Sequence, residues 1–169
     1  GTGYGVIYQP GDQGTTAKVV STRDGIQYEH VSDLDIPGNP NEVTLRFRGN
    51  ELFAIIRRER DPASLARSSP PYTSWSHVDL PEKLGGPDMI KWNDDSWLVA
   101  ARQYHPDGPR TVLGRLTDDG EWTVLTTLPS GGDTSYPGLV LNDNELMVSY
   151  YSSHEGKSSI YIAELLSAP

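Results

Sequence analysis

Three apolar hairpins recur along this chain at nearly even spacing, and this repetition limits the fold more than any other feature. Pro40-Asn41-Glu42-Val43-Thr44-Leu45-Arg46-Phe47 leads through Gly49-Asn50 into Leu52-Phe53-Ala54-Ile55-Ile56-Arg57. Pro87-Asp88-Met89-Ile90-Lys91-Trp92 leads through Asp94-Asp95 into Trp97-Leu98-Val99-Ala100-Ala101-Arg102. Pro137-Gly138-Leu139-Val140-Leu141 leads through Asp143-Asn144 into Leu146-Met147-Val148-Ser149-Tyr150-Tyr151. Each turn pair consists of residues that tolerate positive φ, and each flank is apolar, β-branched or aromatic, which is the short-range signal of a hairpin. The aligned positions Asn50, Asp95 and Asn144 lie 45 and 49 residues apart.

That period matches one four-stranded blade of a β-propeller. Two further strand-like segments follow each hairpin, for example Thr111-Val112-Leu113-Gly114-Arg115-Leu116 and Trp122-Thr123-Val124-Leu125 across Asp118-Asp119-Gly120. The opening segments Gly5–Tyr8, Ala17–Ser21 and Tyr28–Val31 read as the tail of an earlier repeat, and Ile160–Leu165 ends a last repeat without its fourth strand. The expectation is an all-β fold of about fourteen antiparallel strands, forming a partial propeller ring. Segments 39–84 and 85–132 would be complete blades, and 1–38 and 133–169 incomplete ones. An open β-sandwich is the alternative. An arc of blades exposes sheet edges and apolar faces unless the ring closes. Sequence outside this chain, a second copy or another polypeptide would therefore complete a ring expected to have six blades.

Seventeen Gly and thirteen Pro exclude a helical bundle and suit frequent turns. A net charge of −9 argues against a nucleic-acid partner, because Glu59 and Asp61 interleave with the only arginine cluster, Arg57, Arg58 and Arg60. No segment approaches a membrane span. With no cysteine and no metal-ligand spacing among the four His, neither metal nor cofactor is expected. The first residues carry neither an initiator Met nor a signal-peptide pattern, which suggests a start inside a longer precursor.

Arg57 and Arg102 each stand seven residues after their turn position, so both should point to one axial site from neighbouring blades. Converging guanidiniums hold a planar carboxylate bidentately and never deprotonate. Glu42 and Tyr136 lie at the starts of innermost strands. Tyr104, His105, Asp133, His154 and Glu155 fall in loops near the same end and could line a pocket. Taken singly, Glu42 and Tyr136 are better explained by surface pairing and by packing.

Ser21-Thr22-Arg23-Asp24-Gly25-Ile26-Gln27-Tyr28 resembles the Asp-box turn of sialidases and related BNR-repeat propellers, with Ser68–Trp75 and Thr117–Trp122 as degenerate copies. The order Glu42, Arg57 and Arg58, Arg102, then Thr134-Ser135-Tyr136-Pro137 resembles the second half of the sialidase (neuraminidase) superfamily. The resemblance implies a retaining glycoside hydrolase with Tyr136 as nucleophile and Glu42 as its base. Arg57, Arg58 and Arg102 would bind the substrate, with Tyr104 and Asp133 beside them, and the ligand would be an acidic sugar or glycan. A phenol suits this task because a carboxylate nucleophile would be repelled by the carboxylate on the substrate's anomeric carbon. The family's first clamp arginine and its aspartate acid/base have no counterpart here, so the isolated chain is expected to be inactive. The resemblance also implies secretion or a periplasmic location. Non-catalytic glycan or protein binding, or a structural propeller piece, are the alternative functions.

Overall fold

The computed structural model describes residues 1–12, 14–142 and 145–166. They form fourteen strands in four antiparallel sheets. The first sheet contains β1 (Gly3–Gly11), β2 (Gly14–Thr22) and β3 (Glu29–Leu34). The second runs β4 (Pro40–Arg48), β5 (Glu51–Arg58), β6 (Ser64–Ser68) and β7 (Ser76–Asp79), and the third β8 (Leu84–Lys91), β9 (Ser96–His105), β10 (Gly108–Thr117) and β11 (Trp122–Thr127). The fourth contains β12 (Thr134–Asn142), β13 (Glu145–Ser152) and β14 (Ser159–Leu166). Each sheet is an up-and-down meander, and β8 packs between β4 and β12, so the first strands of successive sheets converge. No helix among the described residues is long and apolar enough to cross a membrane.

The core consists of three apolar layers, one between each pair of sheets. The run Leu52–Ile56 is apolar throughout because β5 is covered on both faces. Ala54 and Ile56 meet Ala17, Val19 and Leu34 of the first sheet, while Phe53 and Ile55 meet Met89, Trp97 and Val99 of the third. In β13 the pattern alternates instead. Leu146, Val148 and Tyr150 pack on Leu98, Ala100 and Leu113, and Met147 and Ser149 face outward. Val140, Met147, Ile160 and Ile162 thus form an exposed apolar face on the fourth sheet. Burying each Leu, Ile or Met of these layers contributes about 1.5–3 kcal/mol.

Polar side chains tie the inner strands together. The Asp88 carboxylate on β8 accepts hydrogen bonds from Arg46 and Thr44 of β4 and from the Leu139 amide of β12, the last at 3.0 Å. At the far end of the same strands Arg48 pairs with Asp118, which also accepts from the Trp97 indole at 3.2 Å. The Arg48 guanidinium lies 4.4 Å from the Phe53 ring centre and 5.0 Å from that of Trp97.

The turns differ from expectation in three places. Gly49-Asn50 is a two-residue turn between the paired Arg48 and Glu51, but β8 and β9 are joined by four residues, Trp92–Asp95. Asn93 organises that loop by accepting from the Asp95 amide and the Ser96 hydroxyl, at 2.9 and 2.8 Å. The third turn, Asp143-Asn144, lies outside the described residues. In the Asp24 turn the carboxylate accepts from the Gln27 and Ile26 amides, at 2.8 and 2.9 Å, and these bonds hold it below the usual carboxylate range. Thr22, not Ser21, supplies the hydroxyl that accepts from the Gly25 amide at 2.9 Å. The Tyr28 ring is exposed, and its hydroxyl donates back to the turn's own Gly25 carbonyl at 3.3 Å.

The Ser68–Trp75 and Thr117–Trp122 segments close the corresponding ends of β6–β7 and β10–β11 by other means. Ser68 donates to the Ser74 carbonyl at 2.7 Å, and the Trp75 indole reaches back to Ser32 of the first sheet at 3.0 Å. Trp122 lies directly over Gly114, where a side chain would collide with the indole.

Candidate functional site

Each innermost strand of the last three sheets has a left-handed residue immediately before its proline. Asn39, Gly86 and Tyr136 have φ of 60°, 50° and 47° and precede Pro40, Pro87 and Pro137. A residue before proline ordinarily adopts the extended region, and a non-glycine residue at positive φ is strained. The ladder to the second strand also slips in each of these strands, at Gly86 and Tyr136 themselves between Gly85 and Asp88 and between Ser135 and Gly138, and just after Asn39 in β4, between Pro40 and Val43. The slips turn side chains out of the sheets toward the convergent end of β4, β8 and β12.

Two of the side chains so presented meet across 94 positions of sequence: the Tyr136 hydroxyl donates to Glu42 Oε1 in a short hydrogen bond. The other Glu42 oxygen, Oε2, accepts from the Gly86 amide at 2.8 Å and pairs with Arg57 Nη1 at 3.0 Å. Asn41 fixes the backbone here, since its Oδ1 accepts from the Glu42 amide at 2.6 Å and its Nδ2 donates to Glu59 at 2.7 Å. Glu59 in turn binds Arg57 Nη2 at 2.9 Å, so the Arg57 guanidinium is held between two carboxylates.

These contacts set the protonation states. Burial pushes the Glu42 carboxyl up, but the bonds from Tyr136 and the Gly86 amide and the charge of Arg57 outweigh it and hold the group below its usual value. The Tyr136 phenol moves the other way, raised first by its bond to Glu42, then by burial and the Glu42 charge, against the opposing fields of Arg57 and Arg102. The resting pair is therefore a neutral phenol on an ionised carboxylate. Its proton is placed to move to Glu42 as charge develops on the reacting partner, so no free phenolate is needed beforehand.

Arg102 approaches from β9. Its guanidinium passes over Gly85, lies 5.5 Å from the Tyr104 ring centre, and pairs with Asp133 at 3.4 Å. Asp133 also accepts from the Tyr151 hydroxyl at 2.7 Å, and the Tyr151 ring lies 6.1 Å from that of Tyr136. Burial and the Asp133 hydrogen bond push the Tyr151 phenol up to about 12. An open cleft of about 380 Å³ lies beside Tyr136 and Glu42, lined by Asn41, Thr44, Asp88 and, from β1, Val6 and Tyr8. A second, of about 390 Å³, is lined by Arg57, Lys83, Leu84 and Tyr104.

Of the residues singled out in the sequence, Tyr136, Glu42 and Arg57 form one bonded group, and Arg102, Asp133 and Tyr104 form a second beside it. Arg58 lies apart from both. Adjacent strand residues point to opposite faces, and Arg58 shares the face of Ala54 and Ile56. There its buried guanidinium donates to the Pro62 carbonyl at 2.5 Å and pairs with Asp79 at 2.9 Å. It braces the β5–β6 connection; it borders the second cleft but not the one beside Tyr136 and Glu42. His154 and Glu155 belong to the β13–β14 turn, where Tyr161 stacks 4.8 Å from the His154 ring and donates to Glu155 at 2.8 Å. His105 is exposed at the β9–β10 turn.

Gly86, Tyr151, Asn41 and Glu59 were not anticipated as part of this group. Tyr151 had a visible signal, for it stands at the same interval from its predicted turn as Arg57 and Arg102 do from theirs. Gly86 had a weaker one, a glycine pair placed directly before an inner-strand proline.

No protein-family model and no curated protein matches the sequence. Among solved structures, the phage phi92 endosialidase superimposes with a TM-score of 0.69 at 11% identity, over 92% of this chain and 32% of that one. Bacteroides ovatus GH43B from a xyloglucan locus gives 0.66 at 14% identity, over 98% and 36%. Trypanosoma rangeli sialidase, solved with sialic acid, gives 0.64 at 12% identity, over 88% and 26%. The chain therefore spans about a third of the length of these structures. At such identities the likeness shows the fold, an all-β arrangement of propeller blades shared with glycoside hydrolases of several kinds.

Proposed function

We propose that this chain carries the nucleophile side of a sialidase-like glycoside hydrolase site that takes an acidic sugar. The Tyr136–Glu42 hydrogen bond is the observation that carries the reading. It joins two distant inner strands in a cleft at their convergent end, beside two guanidiniums. In the first step the Tyr136 oxygen bonds to the anomeric carbon, its proton passes to Glu42, and the glycosidic C–O bond breaks as the leaving oxygen takes a proton from an acid. In the second, a water oxygen bonds to the anomeric carbon and gives a proton to the conjugate base of that acid, while the tyrosyl C–O bond breaks and the departing phenolate takes back the proton held by Glu42, so configuration is retained. Arg57 and Arg102 bind the sugar carboxylate, with Tyr104 and Asp133 at the rim. The acid and a further arginine come from blades outside this chain. The Asp24 turn and its two relatives are then Asp-box turns that serve the fold alone.

The test is Tyr136→Phe in the full-length protein, assayed on aryl glycosides of acidic sugars. Turnover should fall by about 10³-fold or more while binding persists, and unchanged turnover would refute the assignment. One observation favours a binding-only site instead: both guanidiniums are already paired with carboxylates, Arg57 with Glu42 and Glu59 and Arg102 with Asp133. That reading is chosen if the parent protein binds acidic sugars without turning them over.

A further inference from the structure

Tyr136 stands in a backbone conformation that its residue type disfavours, and its side chain must still reach past the third sheet to Glu42 of the second. What it rests on is Gly86, in the preceding sheet. A β-carbon built at Gly86 would lie 2.8 Å and 3.1 Å from Cδ1 and Cε1 of the Tyr136 ring and 2.5 Å from the Ser135 hydroxyl. The two separations under 3.0 Å are not found for real β-carbons and the third is unusually tight, and the inner strands that hold these groups are fastened together through Asp88. The same Gly86 donates its amide to Glu42 Oε2 at 2.8 Å. One residue without a side chain thus touches both members of the pair, the phenol by leaving room for its ring and the carboxylate by a main-chain hydrogen bond.

The arrangement has a counterpart two sheets earlier. The side chain of Asn39, the left-handed residue before Pro40, presses on Gly14 of the first sheet and accepts from the Thr15 amide at 3.4 Å. Seating a pre-proline side chain on a glycine of the preceding sheet is therefore a repeated device. At position 136 the seated group is a phenol engaged with a carboxylate.

We infer that Gly86 is a positioning residue that sets the Tyr136–Glu42 geometry, a role that rests on the function proposed above for its kinetic consequence but not for its structural one. Adding a methyl group at position 86 displaces the ring by roughly the overlap, on the order of 1 Å, and misplacement of that size costs about 10²-fold in rate.

The experiment compares Gly86→Ala with Gly49→Ala in the full-length protein. Gly49 also has positive φ, 61°, but a β-carbon there meets nothing within 4 Å, so it reports backbone strain alone. Tyr136 is titrated by NMR of ¹³C-labelled tyrosine, assigned with Tyr136→Phe. In Gly86→Ala the Tyr136 titration should move down toward that of an ordinary tyrosine as the Glu42 bond is lost. The value of kcat should fall about 10²-fold with KM within threefold, and Gly49→Ala should change neither. If Gly86→Ala does not fold, Ser135→Ala combined with Gly86→Ala removes the hydroxyl clash and leaves only the ring to be displaced. An unchanged Tyr136 titration in either folded variant overturns the positioning role, whatever the activity. Persistent turnover in Tyr136→Phe overturns the proposed function while leaving the titration result to decide the role of Gly86.

Discussion

Replacing Asp88 by alanine should unfasten the three inner strands at once. Its carboxylate accepts from the Leu139 and Met89 amides, at 3.0 and 2.9 Å, and both of those residues are buried. Each amide left without a partner in that setting costs about 1–3 kcal/mol. The accompanying Arg46 pair contributes at most about 1 kcal/mol, since the arginine side chain is 41% exposed and water takes over its solvation. The expected loss is about 3–5 kcal/mol for Asp88→Ala, and roughly half that for Asp88→Asn, which keeps one acceptor oxygen. For a chain of 169 residues this is a fall in Tm on the order of 10 °C for the alanine variant. Thermal unfolding followed by circular dichroism measures it. Asp94→Ala is the reference, because the Asp94 side chain is 92% exposed in its pair with Lys91 and its loss should shift Tm by less than 2 °C. If Asp88→Ala melts within 1 °C of the parent, Asp88 does not fasten these strands and the convergence of β4, β8 and β12 rests on apolar packing alone.

Arg57→Met should move the acid limb of the kcat profile to higher pH. Burial alone raises the Glu42 carboxyl, and Arg57 is one of three groups that together hold it down. Without the guanidinium the base stays protonated to a higher pH, and the limb moves up by one pH unit for each ~1.4 kcal/mol of lost interaction. A limb that stays in place or moves down refutes the coupling. Tyr136→Asn should abolish turnover while leaving Tm unchanged or raised by a few degrees. Asparagine accepts the left-handed conformation, as Asn39 does, and the Tyr136 side chain gives up little burial at 59% exposure. A Tm more than 2 °C below the parent would show that the conformation at 136 carries no strain worth relieving.

The sheets were legible because their cause is local. Apolar runs of strand length separated by turn-forming residues recur at nearly even spacing, and each run folds with its neighbours along the chain, although of Gly49, Asn50, Asp94 and Asp95 only Gly49 takes positive φ. Glu42 and Tyr136 were legible as a pair only through resemblance, since nothing within either segment indicates that residues 94 positions apart share a hydrogen bond. Arg58 entered the candidate set through the family order, beside Arg57, and strand alternation puts these two neighbours on opposite faces of β5, with Arg57 on Glu42 and Arg58 on Asp79 and the Pro62 carbonyl. Gly86 and Asp88 escaped notice for a related reason. Their importance lies in what neighbouring sheets bring to them, and a glycine or an aspartate in isolation signals only a turn or a charge.

The left-handed residue before each inner-strand proline also bears on how such a chain can acquire chemistry. A gene that lengthens by copying a blade copies that bend with it, and every copy arrives with one side chain already displayed at the convergent end of the strands. Substitution at 136 alters what is displayed there while the hydrogen-bonded ladder on either side keeps its register, whereas position 86 stays bare because the neighbouring sheet seats its phenol on it. New function at that end can thus arise through a single replacement at such a bend, provided that the adjoining sheet leaves room for the new side chain.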